Sequence, residues 1–178
     1  MSKATVQRKA QRSGRISKPA ALKPSHDLGS FDCGRDQINN WLRTRAKKAS
    51  ESGTARTYVI CRGPRRVIGF YSLAAGGVAH AGAPGALTRN TPDPIPVIIL
   101  ARFGVHKEEQ GQGLGQDILN DAARRSLQAA RIIGARALLV HALDPAAARF
   151  YEHHGFSRLI ASGDTFFAAM SKLRDALS

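Results

Sequence analysis

"HKEEQGQGLGQDIL", residues 106–119, places Gly111, Gly113 and Gly115 within five residues, directly ahead of a helical run. A helix start exposes N–H groups that have no intrahelical acceptor, together with the positive end of the helix dipole. Glycines ahead of it let a ligand oxygen approach the backbone without meeting a Cβ. The stretch therefore reads either as a cradle for a pyrophosphate or as a turn that merely joins a strand to a helix. Two common cradles are excluded. No G-K-[ST] follows, so this is not a P-loop, and the spacing is not the GxGxxG of a dinucleotide fold.

Working outward, "VIILARFGV" ahead of the loop reads as a buried central strand. The longest helix is predicted over 113–133, with Leu114, Ile118, Leu119, Ala122 and Ala123 on one face. "ALLVHAL" is a second buried strand. "DPAAARFYEHHG" is a short helix with Asp144 at the N-cap, Pro145 at the first position and Gly155 past the end. "FSRLIASGDTFFAAM" closes the chain with two short strands around "SGD". On the N-terminal side, Ile38, Trp41 and Leu42 mark a helix from Asp36, and Arg43, Arg45, Lys47 and Lys48 continue it on exposed positions until Gly53 stops it. "ALKP" is a candidate first strand. Two β-rich runs flank "GPRR" as a hairpin. "AGAPGALTRNTPDPIP", with four prolines, is expected to be a loop without regular structure. The order of elements predicts an α/β fold, a mixed sheet with helices on both faces.

The chain has 178 residues, enough for one domain with a sizeable core. No apolar run approaches the ~18 residues of a membrane span, and the N-terminus lacks the apolar segment of a secretory signal. Cys33 and Cys61 match no metal or CxxC spacing, which suits reduced thiols in the cytoplasm. Charge is the unusual property: 27 Lys and Arg stand against 13 Asp and Glu, a net of +14. Lys3, Arg8, Lys9, Arg12, Arg15, Lys18 and Lys23 fall within the first 25 residues with no acid, so the remainder still carries 20 − 13 = +7. A basic arm over 1–22, expected to be disordered, thus precedes a basic folded domain over 23–178. This balance favours a polyanionic partner and disfavours polyamines or aminoglycosides.

Gln110, Gly113 and Gly115 fit the pattern Q/R-x-x-G-x-G/A, which resembles the acyl-CoA pyrophosphate signature of the GNAT family of N-acetyltransferases. "LARFGV", "ALLVHAL" and "DPAAARFYEHHGF" resemble that family at matching places, so the likeness spans 96–156. It implies a GNAT fold whose central sheet splays at an acetyl-CoA site. Pantetheine would bond to backbone around Phe103, Gly104 and Val105 as an added strand. Gln110, Gly111, Gln112, Gly113, Leu114, Gly115 and Gln116 would hold the pyrophosphate, with Phe150 packing on pantetheine or in the core. "HDLGSFDCGRDQINNWLRTRAKKASESGTARTYVI" and "VIGFYSLAAGGV" look like the acetyltransferase toxins of bacterial toxin–antitoxin pairs. That resemblance implies acetylation of the free α-amine of aminoacyl-tRNA, a homodimer, a ribbon-helix-helix antitoxin, and contact with promoter DNA through the toxin–antitoxin complex.

The chemistry agrees with such a substrate. Acetyl transfer needs a neutral amine, a polarised thioester carbonyl and a proton for the departing thiolate. An α-amine, with a pKa near ~8, is partly neutral at cell pH, whereas a lysine near ~10.4 leans on a general base. No carboxylate is evidently placed for that role. The resemblance implies that Tyr151, placed in the first half of its short helix where the family's tyrosine meets the CoA sulfur, is the general acid; core packing with Phe150 is its alternative. Backbone N–H groups near Val105 would polarise the carbonyl. Arg43, Arg45, Lys47, Lys48 and Arg102 are expected to meet tRNA phosphates, with Arg56, Arg62, Arg65 and Arg66 clustered at the hairpin. His26, His80, His106, His141, His153 and His154 show no metal-ligand spacing, so no metal is expected. His106 stands where the toxin pattern usually has aspartate. His141, near a strand end, either touches substrate or packs in the core. Two other functions stay open: acetylation of a protein N-terminus, lysine or small amine, and non-catalytic nucleic-acid binding.

Overall fold

The computed structural model describes residues 13–178. Strands β1 (Ala20–Ala21), β2 (Arg56–Arg62), β3 (Arg66–Val78), β4 (Ile95–Val105), β5 (Ala137–His141), β6 (Ser157–Arg158) and β7 (Thr165–Ala169) form one sheet in the order β1-β2-β3-β4-β5-β7-β6. The sheet is mixed: β4 and β5 are parallel, while β1 with β2, β5 with β7, and β6 with β7 are antiparallel. The helices are α1 (Asp36–Thr44), α2 (Ala46–Ser52), α3 (Gly85–Thr88), α4 (Leu114–Ile133), α5 (Pro145–His153) and α6 (Met170–Ala176), with a 3-10 turn at Lys107–Glu109. No described helix is long and apolar enough to cross a membrane.

Two compact units divide the chain. The first holds 13–71 and 102–118. Its core joins Ile38, Leu42 and Ala46 of α1 and α2 to Val59, Cys61, Val67 and Phe70 of β2 and β3, with Phe31 and Cys33 from the segment ahead of α1. The helical region breaks at Arg45, where the sequence pattern predicts one continuous helix. The amide of Arg45 closes α1 on the Trp41 carbonyl, and the residue is also the N-cap of α2. Placing Leu42 and Ala46 together in the core is compatible with that bend, which periodicity alone does not reveal. Gly53 stops α2 as expected, in a left-handed conformation with its N–H on Ala49 and Ser50 carbonyls.

Of the arm expected over 1–22, residues 1–12 lie outside the described residues, and 14–21 run along β2. Ile16 bridges Arg62, Ser17 N–H donates to the Cys61 carbonyl, and the Cys61 N–H donates to Ser17 Oγ. Ala20 then pairs with Val59, so the first strand begins ahead of the "ALKP" expected for it.

The second unit holds 72–101 and 119–178. Its core gathers Leu87, Ile95, Val97, Ala137, Leu139, Leu159 and Phe167. Consecutive residues Ala137, Leu138, Leu139 and Val140 are all buried, so both faces of β5 are covered. The proline-rich 81–96 region is not wholly irregular. A four-residue helix, α3, forms within it because fully buried Leu87 anchors it to this core. Helix α6, which the sequence reading left out, follows β7 and buries Met170 and Leu173.

Candidate active site

The register of β4 with β5 runs from Val97↔Ala137 to Leu100↔Val140, and β4 continues to Val105. The end of β4 is tied down within the first unit. His106 N–H donates to the Ile68 carbonyl at 2.8 Å, and Gly104 packs so closely that a Cβ there would lie 3.1 Å from both Ile38 Cγ2 and Phe70 Cε1.

From His106 onward, five consecutive side chains are anchored. His106 is buried; its Nδ1 accepts from Glu108 N–H and its Nε2 donates to the Ser30 carbonyl, which fixes the neutral tautomer. Burial, then the nearby Arg66 charge, lowers its pKa. Lys107 Nζ donates to Asp32 Oδ2 at 2.6 Å. With the Gly34 N–H and the Asn39 amide, that bond holds the Asp32 carboxyl well below the usual carboxylate range. Glu108 pairs with Arg66 at 3.3 Å. Buried Glu109 is gripped by Arg62, Nε to Oε1 at 2.9 Å and Nη2 to Oε2 at 2.8 Å. Gln110 Nε2 donates to the carbonyls of Val105 at 2.9 Å and Cys33 at 3.1 Å.

Beyond Gln110 the backbone takes over. Gly111 and Gly113 have φ of +75° and +85°, and nothing lies within 4 Å of where their Cβ atoms would be. Conformation, not crowding, demands glycine there. Gln112 donates to the Glu108 carbonyl, buried Leu114 opens α4, and Gly115 and Gln116 fall in its first turn. An open glycine backbone running into a 20-residue helix suits a phosphate group. The loop and the end of β4 that the sequence singled out are thus one continuous structure.

In the second unit, Asp144 caps α5 by accepting from Ala147 N–H at 2.8 Å. Tyr151 is in the last turn of α5 and not in its first half: the helix begins at Pro145, as expected, and Tyr151 is the seventh of its nine residues. It is buried, with ring centroids 5.4 Å from half-buried Phe150 and 5.7 Å from Phe156. His141 is exposed at the end of β5, its Nδ1 at 2.9 Å from Thr165 Oγ1, which removes core packing as its role.

The expected tRNA-binding residues fall into different states. Arg45 and Lys48 are exposed. Lys47 faces Glu51 at 3.8 Å, Arg43 donates to the Phe31 carbonyl, and the Arg102 guanidinium lies 5.3 Å over the Trp41 ring. At the hairpin, Arg62 and Arg66 serve Glu109 and Glu108, Arg65 donates to the Ser25 carbonyl and Arg56 to the Ser50 carbonyl. Those pairings span 42 to 47 residues for the two glutamates, so no local pattern announces them. Among the described residues, no group of three or more His, Cys, Asp or Glu is placed to hold a metal ion.

A β-strand outrunning its parallel neighbour, an open glycine loop and a long helix behind it are the frame of a mixed α/β fold. The chain belongs to the acetyltransferase (GNAT) family, whose domain matches residues 53–158. It is an N-acetyltransferase with the GNAT fold and uses acetyl-CoA as donor. A "tRNA-acetylating toxin" of Mycobacterium tuberculosis (strain ATCC 25618 / H37Rv) is 49% identical over 140 residues, covering 79% of this chain and 84% of that protein. AtaT complexed with acetyl-methionyl-tRNAfMet superposes with a TM-score of 0.84 at 26% identity, covering 92% of this chain and 100% of the other. A tyrosine-to-phenylalanine mutant of AtaT bound to acetyl-CoA and the C-terminus of the antitoxin AtaR gives 0.79 at 25% identity, covering 91% and 97%.

Proposed function

We propose that this protein is the toxin of a toxin–antitoxin pair, transferring acetyl from acetyl-CoA to the free α-amine of aminoacyl-tRNA and so blocking translation. The observation that carries the reading is the 49% identity to a tRNA-acetylating toxin across most of both chains. Net charge supports a polyanionic substrate. The same resemblance supports a homodimer in the cytoplasm, held by a ribbon-helix-helix antitoxin and carried by it to promoter DNA.

Bound acetyl-CoA supplies an activated acetyl thioester. The residues of this chain fit it: Gly111 and Gly113 leave room for phosphate oxygens, and N–H groups at the start of α4 offer donors. In this reading Gln110 acts indirectly, since its amide already joins Val105 to Cys33. Backbone groups of Phe103 and Val105 align pantetheine as an added strand and polarise the thioester carbonyl. Tyr151 donates the proton that the departing sulfur needs. A phenol near ~10 is fully protonated at pH 7, and giving its proton to a thiolate whose acid titrates near ~8.5 is only mildly uphill. The attacking α-amine loses a proton to water, and water returns one to the Tyr151 phenolate, so the tyrosine is restored; no strong base is required at the pKa of the amine. Roughly a tenth of such amines are neutral at pH 7, against less than about a thousandth of lysines.

The test is transfer of labelled acetyl to bulk charged tRNA, with deacylated tRNA as control and the Tyr151→Phe protein in parallel. Label confined to charged tRNA, and reduced about 10²-fold or more by Tyr151→Phe with acetyl-CoA affinity retained, is the expected result. Label on proteins or small amines instead would move the substrate class, and equal rates in the mutant would remove Tyr151 from catalysis.

A further inference from the structure

Residues 107, 108 and 109 each carry a charge, and each meets an opposite charge from elsewhere in the first unit: Lys107 with Asp32, Glu108 with Arg66, Glu109 with Arg62. Three consecutive ion pairs directly ahead of the glycine loop are more than surface decoration, because the last is withdrawn from water. The Glu109 side chain is 3% exposed and that of Arg62 15%. Both carboxylate oxygens are held by the guanidinium fork, whose remaining nitrogen, Nη1, donates to the Gly14 carbonyl at 3.0 Å. Gly14 itself lies against Gly63, where a Cβ would come within 3.0 Å of the Gly63 nitrogen. Arg62 therefore ties three segments together: its own strand β2, the N-terminal segment along β2, and the turn that feeds the loop.

A buried ion pair stabilises little on balance, since desolvation offsets its attraction; what it does well is fix geometry. The loop beyond it needs that. Gly111 and Gly113 give it bare backbone but no stiffness, and a glycine chain that must be ordered upon binding loses affinity. On its far side the loop is held by α4. On its near side it follows directly on the anchored run 106–110.

We propose that Arg62 and Glu109 are positioning residues for the acetyl donor, an ionic clamp that keeps the glycine loop in its binding shape before acetyl-CoA arrives. This rests on the reading of 110–116 as the pyrophosphate loop. The clamp acts on binding and leaves the chemical step alone, so its signature is a split between KM and kcat. Glu109 also lies beside a loop meant for phosphates, and Arg62 cancels that charge.

The experiment compares Arg62→Met, the pair Arg62→Met/Glu109→Leu, and Gly113→Val in the full chain, reading CoA affinity by calorimetry and steady-state kinetics in acetyl-CoA. The double substitution removes both buried charges and leaves neither uncompensated, so the protein still folds. It is expected to raise Kd and the KM for acetyl-CoA by about tenfold with kcat within about twofold. Arg62→Met alone is expected to raise both further, since it leaves Glu109 charged beside the loop. If the double substitution leaves Kd and KM unchanged while Gly113→Val abolishes CoA binding, the clamp is overturned and the loop reading stands. If only Arg62→Met raises Kd, the pair acts through charge and the positioning role is overturned. If Gly113→Val binds CoA normally, the loop reading fails and takes the clamp with it.

Discussion

His106 shows how much one buried side chain can hold in place. Its neutral imidazole caps the 3-10 turn through Nδ1 and reaches the Ser30 carbonyl through Nε2. Burial and Arg66 lower its pKa, against weaker opposing effects of the Ser30 carbonyl, Glu108 and Asp32. An unfolded histidine titrates near ~6.5, above the folded value, so protons favour the unfolded chain. The stability this residue contributes is fully present above about pH 6.5 and is lost as pH falls through the folded pKa. His26, lowered by burial and then by Lys23, adds the same sign. The thermal midpoint is expected to drop between about pH 7.5 and 5.5, and His106→Asn to remove part of that drop. An unchanged slope in H106N would mean that His106 is protonated alike in both states.

At the scale of elements, the end of β4 and the start of α5 depend on different kinds of residue. Gly104 is required by packing: Ile38, Phe70 and Phe31 all lie within 3.3 Å of a Cβ placed there. Gly104→Ala is expected to destabilise by about 1–3 kcal/mol. Asp144→Ala, which removes the cap of α5, is expected to cost about 1 kcal/mol. Denaturant unfolding reads both, and a G104A protein as stable as the parent would show that the core around Phe31 yields easily. Sequence made the second element legible and the first only partly so. Asp144, Pro145 and Gly155 bound α5 by local rules, and glycine spacing marks the loop. Nothing local says that Phe31 and Ile38 crowd Gly104, or that Arg62 and Arg66, read as a surface for phosphates, are committed to Glu109 and Glu108. The break at Arg45 and the short α3 escaped for the same reason: each goes with a distant core contact, of Ala46 and of Leu87, that local pattern does not show.

For the whole molecule, the excess of 27 basic over 13 acidic residues governs encounter with a polyanion. Counterion release makes such binding fall steeply with salt. Raising salt from about 50 to about 200 mM is expected to weaken the apparent affinity for charged tRNA by at least about tenfold, while the KM for acetyl-CoA moves much less. Parallel changes in the two constants would show that tRNA is held by something other than phosphate contacts. The broad architecture was legible at this scale too, since alternating strands and helices around a glycine loop define a mixed α/β sheet. The role of the basic N-terminus was not, because backbone pairing by Ile16 and Ser17 leaves no trace in composition.

That pairing has a bearing on how the protein behaves in concentrated solution. The segment at 14–21 covers the outer edge of β2, whose Val59, Ile60 and Cys61 are all buried. A strand of that composition with its amides uncovered is a template for another copy's strand, and short edge strands are a common way of blunting it. Both ends of the sheet follow this pattern, closing on strands of two residues each, β1 and β6. Trimming the chain at residue 22, where composition suggests that folded protein begins, would bare the β2 edge and favour edge-to-edge aggregation.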